Sequence, residues 1–260
     1  MPNLSELLSS FDARKGVLLP DSWRQGRTAY GGIVTALGIS AALQSHATPL
    51  PPLRAMQVNF IGPAVGQLTF APQVLREGKS VVSLGVDVFA EGALAARLMG
   101  VFGRARESGI VHDFGDFPDV PGVDDCRELK AAAAPFVPAF LQNFQLKPAG
   151  GAMPVSAAAF PEQLAWVRHR DAQGVDPAIA LAAMGDAMPP AAFTAYRAPA
   201  PVSSINWSFE LLDPAPAGEW FLLRSFSQHA RDGYSSQDMQ VWNAQRQLVM
   251  RGRQSVAIFS

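Results

Sequence analysis

Residues 231–254 read RDGYSSQDMQVWNAQRQLVMRGRQ, and residues 76–100 read REGKSVVSLGVDVFAEGALAARLMG. Both open on Arg, an acidic residue, Gly, any residue and Ser, then run on as strand-like sequence through Phe89 or Trp242. The two arginines stand 155 positions apart, and the later pairs Leu94 with Leu248 and Arg97 with Arg251 stand 154 apart, so the match outlasts the opening motif. Upstream, MQVNFIGP (56–63) answers INWSFELLDP (205–214), with Met56, Val58 and Phe60 against Ile205, Trp207 and Phe209 in the same alternation. The offset there is 149, so the intervening turns differ slightly in length. A repeat of this period marks a duplicated domain, not a solenoid of short units.

Each copy places one helix before its strands. In the first, Thr28 is a candidate cap for AYGGIVTALGISAALQSH, whose apolar residues recur at helical spacing until TPLPP stops them. In the second, Asp176 followed by Pro177 has the form of an N-cap with proline at the first helical position, and DPAIALAAMGDAM runs on to Pro189 and Pro190. Alternating segments separated by turn residues follow both helices, and a further strand is expected at AWVRHR (165–170). The expected architecture is α+β, two tandem units each with a long helix wrapped by an antiparallel sheet. The units are assigned to residues 1–105 and 136–260, with the acidic, Pro- and Gly-punctuated HDFGDFPDVPGVDD inside a linker at 106–135.

Composition limits what the chain does. Its 260 residues are 48% hydrophobic and 17% charged, enough for a substantial core. A formal net charge of −1 gives no electrostatic footprint for nucleic acid or an anionic membrane. The polar N-terminus, MPNLSELLSSFDARKG, lacks the form of a secretory signal, and no run of sequence reaches the roughly 20 apolar residues of a membrane helix. The one cysteine, Cys126, has no internal disulfide partner and lies among acids in DDCRE. A cytoplasmic protein is the expectation.

One helix, alternating strands and a duplication in this order resemble the double hotdog fold. The chain resembles the TesB-like acyl-CoA thioesterase II family and its thioesterase-like relatives, on YGGIVTALGISAA for the first helix, REGKS for the turn after it, LAAMGDAM for the second helix and a final strand carrying Gln254. The resemblance covers both halves. It implies an acyl-CoA substrate, a place in fatty acid metabolism, no cofactor, and association into a homo-oligomer.

Strand parity independently locates polar groups in the core. In VSSINWSFEL it puts Ser203 on the face of Ile205, Trp207, Phe209 and Leu211, with Ser204 turned away. In the last strand Gln254 shares a face with Met250, Gly252, Val256 and Ile258. A buried hydroxyl and a buried amide need partners. Asp186 is the third candidate, at the C-terminal end of the second helix, where the helix dipole disfavours a carboxylate charge. The family resemblance implies the same trio, an Asp on the helix, a Ser or Thr on the next strand and a Gln on the last strand, together holding the attacking water. Here these are Asp186, Ser203 and Gln254. The sequence departs from the familiar pattern at Asn206 and Trp207, where an Asp and a His are commoner. Copy one offers Gly100 opposite Gln254 and Arg54 opposite Ser203, so one reactive site per chain is expected.

The chemistry expected is hydrolysis of an acyl-CoA thioester by water that Asp186 deprotonates, with Ser203 and Gln254 orienting it. Backbone N–H groups at Gly31 and Gly32, where the first helix starts, are candidates for polarising the thioester carbonyl. Arg76, Lys79 and Arg231 at the repeated turns are candidates for the CoA phosphates. No G-x-S-x-G, Walker or H-E-x-x-H motif occurs, and His46, His112, His169 and His229 lack metal-ligand spacing. No His closely follows Asp186, against a hotdog hydratase. The alternatives to an enzyme are a non-catalytic acyl-CoA or acyl-carrier binding protein on the same fold, motivated by Asn206 and Trp207, and a purely structural role.

Overall fold

The computed structural model describes residues 2–129 and 137–259. The expected start of the second unit, at 136, lies outside the described residues. The described residues form three α-helices, α1 (Leu4–Ser10), α2 (Gly31–Ser45) and α3 (Pro177–Gly185). The first half contributes strands β1 (Val17–Leu18), β2 (Arg24–Gln25), β3 (Thr28–Ala29), β4 (Leu53–Phe60), β5 (Gln67–Glu77), β6 (Val81–Ala90) and β7 (Ala93–Gly103). The second contributes β8 (Phe144–Gly151), β9 (Glu162–His169), β10 (Val202–Leu211), β11 (Phe221–Arg231), β12 (Tyr234–Asn243) and β13 (Leu248–Ile258). Among the described residues no helix is long and apolar enough to cross a membrane.

Eleven strands form one antiparallel sheet in the order β1-β5-β6-β7-β4-β10-β13-β12-β11-β9-β8. The halves meet at β4 and β10, paired from Asn206 with Asn59 to Glu210 with Ala55. Three irregularities recur in both halves. Pairing slips at Arg54 between β4 and β7 and at Ile205 between β10 and β13. It slips again at Leu75 and Gln228, and at Ala95 and Val249. A bulge re-aims the residues beside it, so its position is a register mark. Counting from these marks, Met56 paired with Gly100 answers Trp207 paired with Gln254. Ser204 is answered by Leu53, and Arg54 by Ile205, not by Ser203.

Helix α2 is buried nearly all round, from Gly32 to Ala42, as a helix enclosed by a sheet must be. Its N-cap is Tyr30 and not Thr28, because Thr28 belongs to β3 and its hydroxyl accepts the N–H of Ala64 at 2.9 Å. Asp176 caps α3 as its sequence context predicts, accepting from the N–H groups of Ala178 and Ile179. That helix stops at Gly185 with Asp186 as its C-cap, short of the prolines, so the second helix is not long. One apolar core runs through both halves, from Leu4 and Ile33 to Phe209 and Met250. The segment expected as a plain linker is a strap on the outer face of the second half. Phe117 packs edge-on to Trp242 at 5.9 Å, and the Trp166 indole N–H donates to the Pro121 carbonyl at 3.0 Å.

Candidate active site

Asp186 is 9% exposed and stands where the two helices meet. Two contacts bring it there. The Tyr30 hydroxyl, just before α2, donates to the Ala183 carbonyl of α3 at 2.9 Å. Beneath the end of α3, the fully buried Trp207 indole fills space opened by Gly185 and Gly252, since a Cβ on either would lie 3.1–3.2 Å from the ring. Burial pushes the Asp186 carboxyl up, hydrogen bonds from Gln254 and from the Gly32 backbone offset part of the rise, and the net value is about 7. The sequence argument expected a raised value from the α3 dipole; the first cause is loss of water.

Gln254 stands on the inner face of β13, 3% exposed. Its Nε2 donates to Asp186 Oδ1 at 2.9 Å and to Ser204 Oγ at 3.0 Å. Asp186 and Gln254 therefore come together as the sequence placed them, but Ser203 does not join them. The bulge at Ile205 shifts the alternation of β10 by one residue, so that Ser204 turns inward, Ser203 is exposed, and Ile205, expected in the core, is 37% exposed. Simple parity fails across an inserted residue. Because Ser204 accepts from Gln254, its own O–H is left to donate to something else.

Asp186 opens into a cavity of about 400 Å³ whose wall comes from both halves, with Gly31, Phe60 and Ala96 on one side and Pro190, Ser203 and Ser204 on the other. Gly31 lies so close that a Cβ there would sit 2.6 Å from Asp186 Oδ2. Gly32 does not line the cavity; its N–H serves Asp186, and a Cβ on it would meet the Ala183 carbonyl oxygen and the Tyr30 ring. The adjacent glycines thus have different surroundings, and only Gly31 is placed to touch a ligand.

The cations expected at the repeated turns are not at this cavity. Arg231 is at its end of the sheet but three strands away, through Ser203 with Ala257, Ala257 with Tyr234 and Tyr234 with Arg231, about 14 Å at ordinary strand spacing. Arg76 belongs to the row of Ser83, Val101, Ala55 and Glu210, at the far end of β10 from Ser203 and roughly 24 Å along the strand. The two copies of the motif point to opposite ends because the halves pair antiparallel at β4 and β10. A cation beside the cavity that the sequence argument did not name is Arg27. It is exposed in the turn between β2 and β3, and Gln25 and Thr28 on either side of that turn line the cavity. Its only signal was the string RQGRTAY just ahead of the helix. Among the described residues, no group of three or more His, Cys, Asp and Glu is arranged to hold a metal ion.

Comparison with known proteins agrees with this arrangement of elements. A family model described as the acyl-CoA thioesterase C-terminal domain matches residues 123–258, and the corresponding N-terminal domain model matches residues 19–103. A search of curated proteins returns no match. Among solved structures, a hot dog fold protein from Alicyclobacillus acidocaldarius superposes with a TM-score of 0.85 at 22% identity, covering 96% of this chain and 95% of that one. The TesB protein of Mycobacterium avium subsp. paratuberculosis gives 0.76 at 17% identity, covering 94% and 91%. The acyl-CoA thioesterase II TesB2 of Mycobacterium marinum gives 0.71 at 21%, covering 89% and 90%. These likenesses establish a hotdog fold.

Proposed function

The chain belongs to the acyl-CoA thioesterase family, and from that premise we propose that it is a double hotdog enzyme that hydrolyses an acyl-CoA thioester to the free acid and CoA. The two units are residues 1–105 and 136–260, joined by 106–135, with one reacting centre per chain. The observation that carries the reading is the buried Asp186 carboxyl, raised to about 7, held by Gln254 at the wall of a cavity.

Asp186 is the general base. Its Oδ1 is occupied by Gln254, so Oδ2, beside Gly31, takes the proton of the attacking water. The Ser204 hydroxyl, bonded as acceptor to Gln254, presents its proton to that water and holds it in line. The N–H of Gly31, in the first turn of α2 where no intrahelical carbonyl reaches it, donates to the thioester oxygen as charge develops. When the tetrahedral intermediate collapses, the C–S bond breaks and the proton on Asp186 passes to the leaving thiolate. A group titrating near 7 can accept and return a proton at neutral pH.

Neither Asn206 nor Trp207, the departures that motivated a non-catalytic reading, lines the cavity. Asn206 is exposed and accepts the Ser255 N–H at 3.2 Å, and Trp207 is packed beneath α3. The test is thiol release from acyl-CoAs of graded chain length by the wild type and Asp186→Asn. Turnover that disappears in the variant is the expected result. Tight binding without turnover across the series would replace the enzyme with a binding protein, and undiminished turnover in the variant would remove Asp186 as the base.

A further inference from the structure

We infer that Gln237 is a positioning residue that sets which end of the Gln254 amide faces the site. Its side chain is 1% exposed and lies beside Gln254 across the β12 and β13 pairing. The chain of hydrogen bonds begins at a group with only one sense. The Ala191 backbone N–H donates to Gln237 Oε1 at 2.7 Å, and an N–H cannot be turned round to accept. Gln237 Nε2 must then face Gln254, and it donates to Gln254 Oε1 at 2.7 Å. That contact uses the acceptor end of Gln254, so its two remaining N–H bonds run to Asp186 and Ser204. With the Gln254 amide reversed, an oxygen would face the Asp186 carboxylate, and Ser204 would have to spend its proton on that oxygen instead of on water.

The same residue ties the network to the loop that carries the base. Ala191 follows Asp186 by five positions, and Pro190 between them lines the cavity. Gln163 holds that loop as well, donating to the carbonyls of Pro189 and Pro190 at 3.2 and 3.4 Å. Gln163 makes no contact with Gln254, so it reports loop anchoring alone.

The inference rests on Asp186 as the base, and its test is the pH profile of kcat/KM for Gln237→Glu, Gln237→Met and Gln163→Met. A glutamate at 237 has no donor for Gln254, which must turn its Nε2 toward it and its Oε1 toward Asp186. The acid limb should then move up by about one pH unit or more, and kcat should fall at least about tenfold with KM little changed. Gln237→Met leaves Gln254 free to turn and should shift the limb in the same direction by less. Gln163→Met should lower the melting temperature and leave the limb in place. If the Glu variant does not fold, the Met variant and the side-chain amide signals of Gln254 in the wild type, which should move as Asp186 titrates, carry the test. An unmoved acid limb in Gln237 variants alongside an inactive Asp186→Asn would overturn the role of Gln237 alone. An active Asp186→Asn would overturn the base and this inference together.

Discussion

The point where a side chain on residue 31 would begin lies 2.6 Å from Oδ2 of Asp186 and 3.0 Å from the Phe60 ring. No side chain fits there without displacing the carboxylate. Gly31→Ala should therefore lower kcat/KM by at least about tenfold, since small displacements of reacting groups cost that much or more. Its melting temperature should change little, because the end of one side chain can yield. Gly32→Ala meets the Ala183 backbone instead, and a backbone carbonyl cannot yield. That variant should melt roughly 3–10 °C lower. Calorimetry and steady-state kinetics on both separate the two effects.

Ser204 and Ser203 are adjacent, and only Ser204 is bonded to Gln254. Ser204→Ala should reduce kcat/KM by roughly tenfold or more, the worth of a hydrogen bond within a charged network. Ser203→Ala should stay within about twofold of wild type. The opposite ranking in the thiol-release assay would mean that the β10 bulge does not set the site.

Ionised Asp186 costs the fold free energy that protonated Asp186 does not. Its folded value near 7 lies above its ordinary value of 3.8, so the folded state holds the extra proton between those limits. The associated stability is full below about pH 4 and is lost as pH rises through 7, a difference of ~4 kcal/mol. Activity should run the other way, with kcat/KM rising through pH 7 as the base loses its proton. Asp186→Asn should be inactive and yet melt higher than wild type at pH 8, with the gap shrinking toward pH 4. Paired thermal melts across that range check the sign.

Arg24, Arg27 and Arg97 each adjoin a residue that lines the cavity, but Arg24 is paired with Asp21 and Arg97 with Asp87, which leaves Arg27 the better candidate for a phosphate, while Arg76 is at the far end of the sheet. Arg27→Ala should raise KM for acyl-CoA roughly threefold to tenfold at low salt, less as salt screens it. N-acetylcysteamine thioesters, which carry no phosphate, should be insensitive to this change. Arg76→Ala should leave both substrates unaffected.

The repeat told most of the fold because it is written in strand alternation and turn residues, which act over a few positions. Gln254 was readable for the same reason, since β13 keeps its phase from Met250 to Val256. Ser204 was not, because the inserted Ile205 looks in sequence like one more member of the apolar series, and only the pairing with β13 shows that it is extra. The end of α3 at Gly185 was also hidden. Ala187 and Met188 continue a helical pattern, and their burial is settled by packing, not by spacing. Contacts between the halves, such as Tyr30 with Ala183 or Gly31 with Asp186, join residues more than 150 positions apart and have no local signal. Where Arg76 and Arg231 stand was hidden as well, because the antiparallel pairing of β4 with β10, which sends the two repeated turns to opposite ends of the sheet, has no local signal.

Pairing of β4 with β10 decides how this gene can be cut. A break between residues 106 and 112 would leave each fragment with a raw strand edge, and the fragment carrying Asp186 would lack Gly31, Phe60 and Ala96. Made separately, the pieces should be prone to aggregate and inert. Made together in one cell they should knit along that edge and regain turnover, giving a split enzyme that reports on whatever proteins are fused to its two new ends.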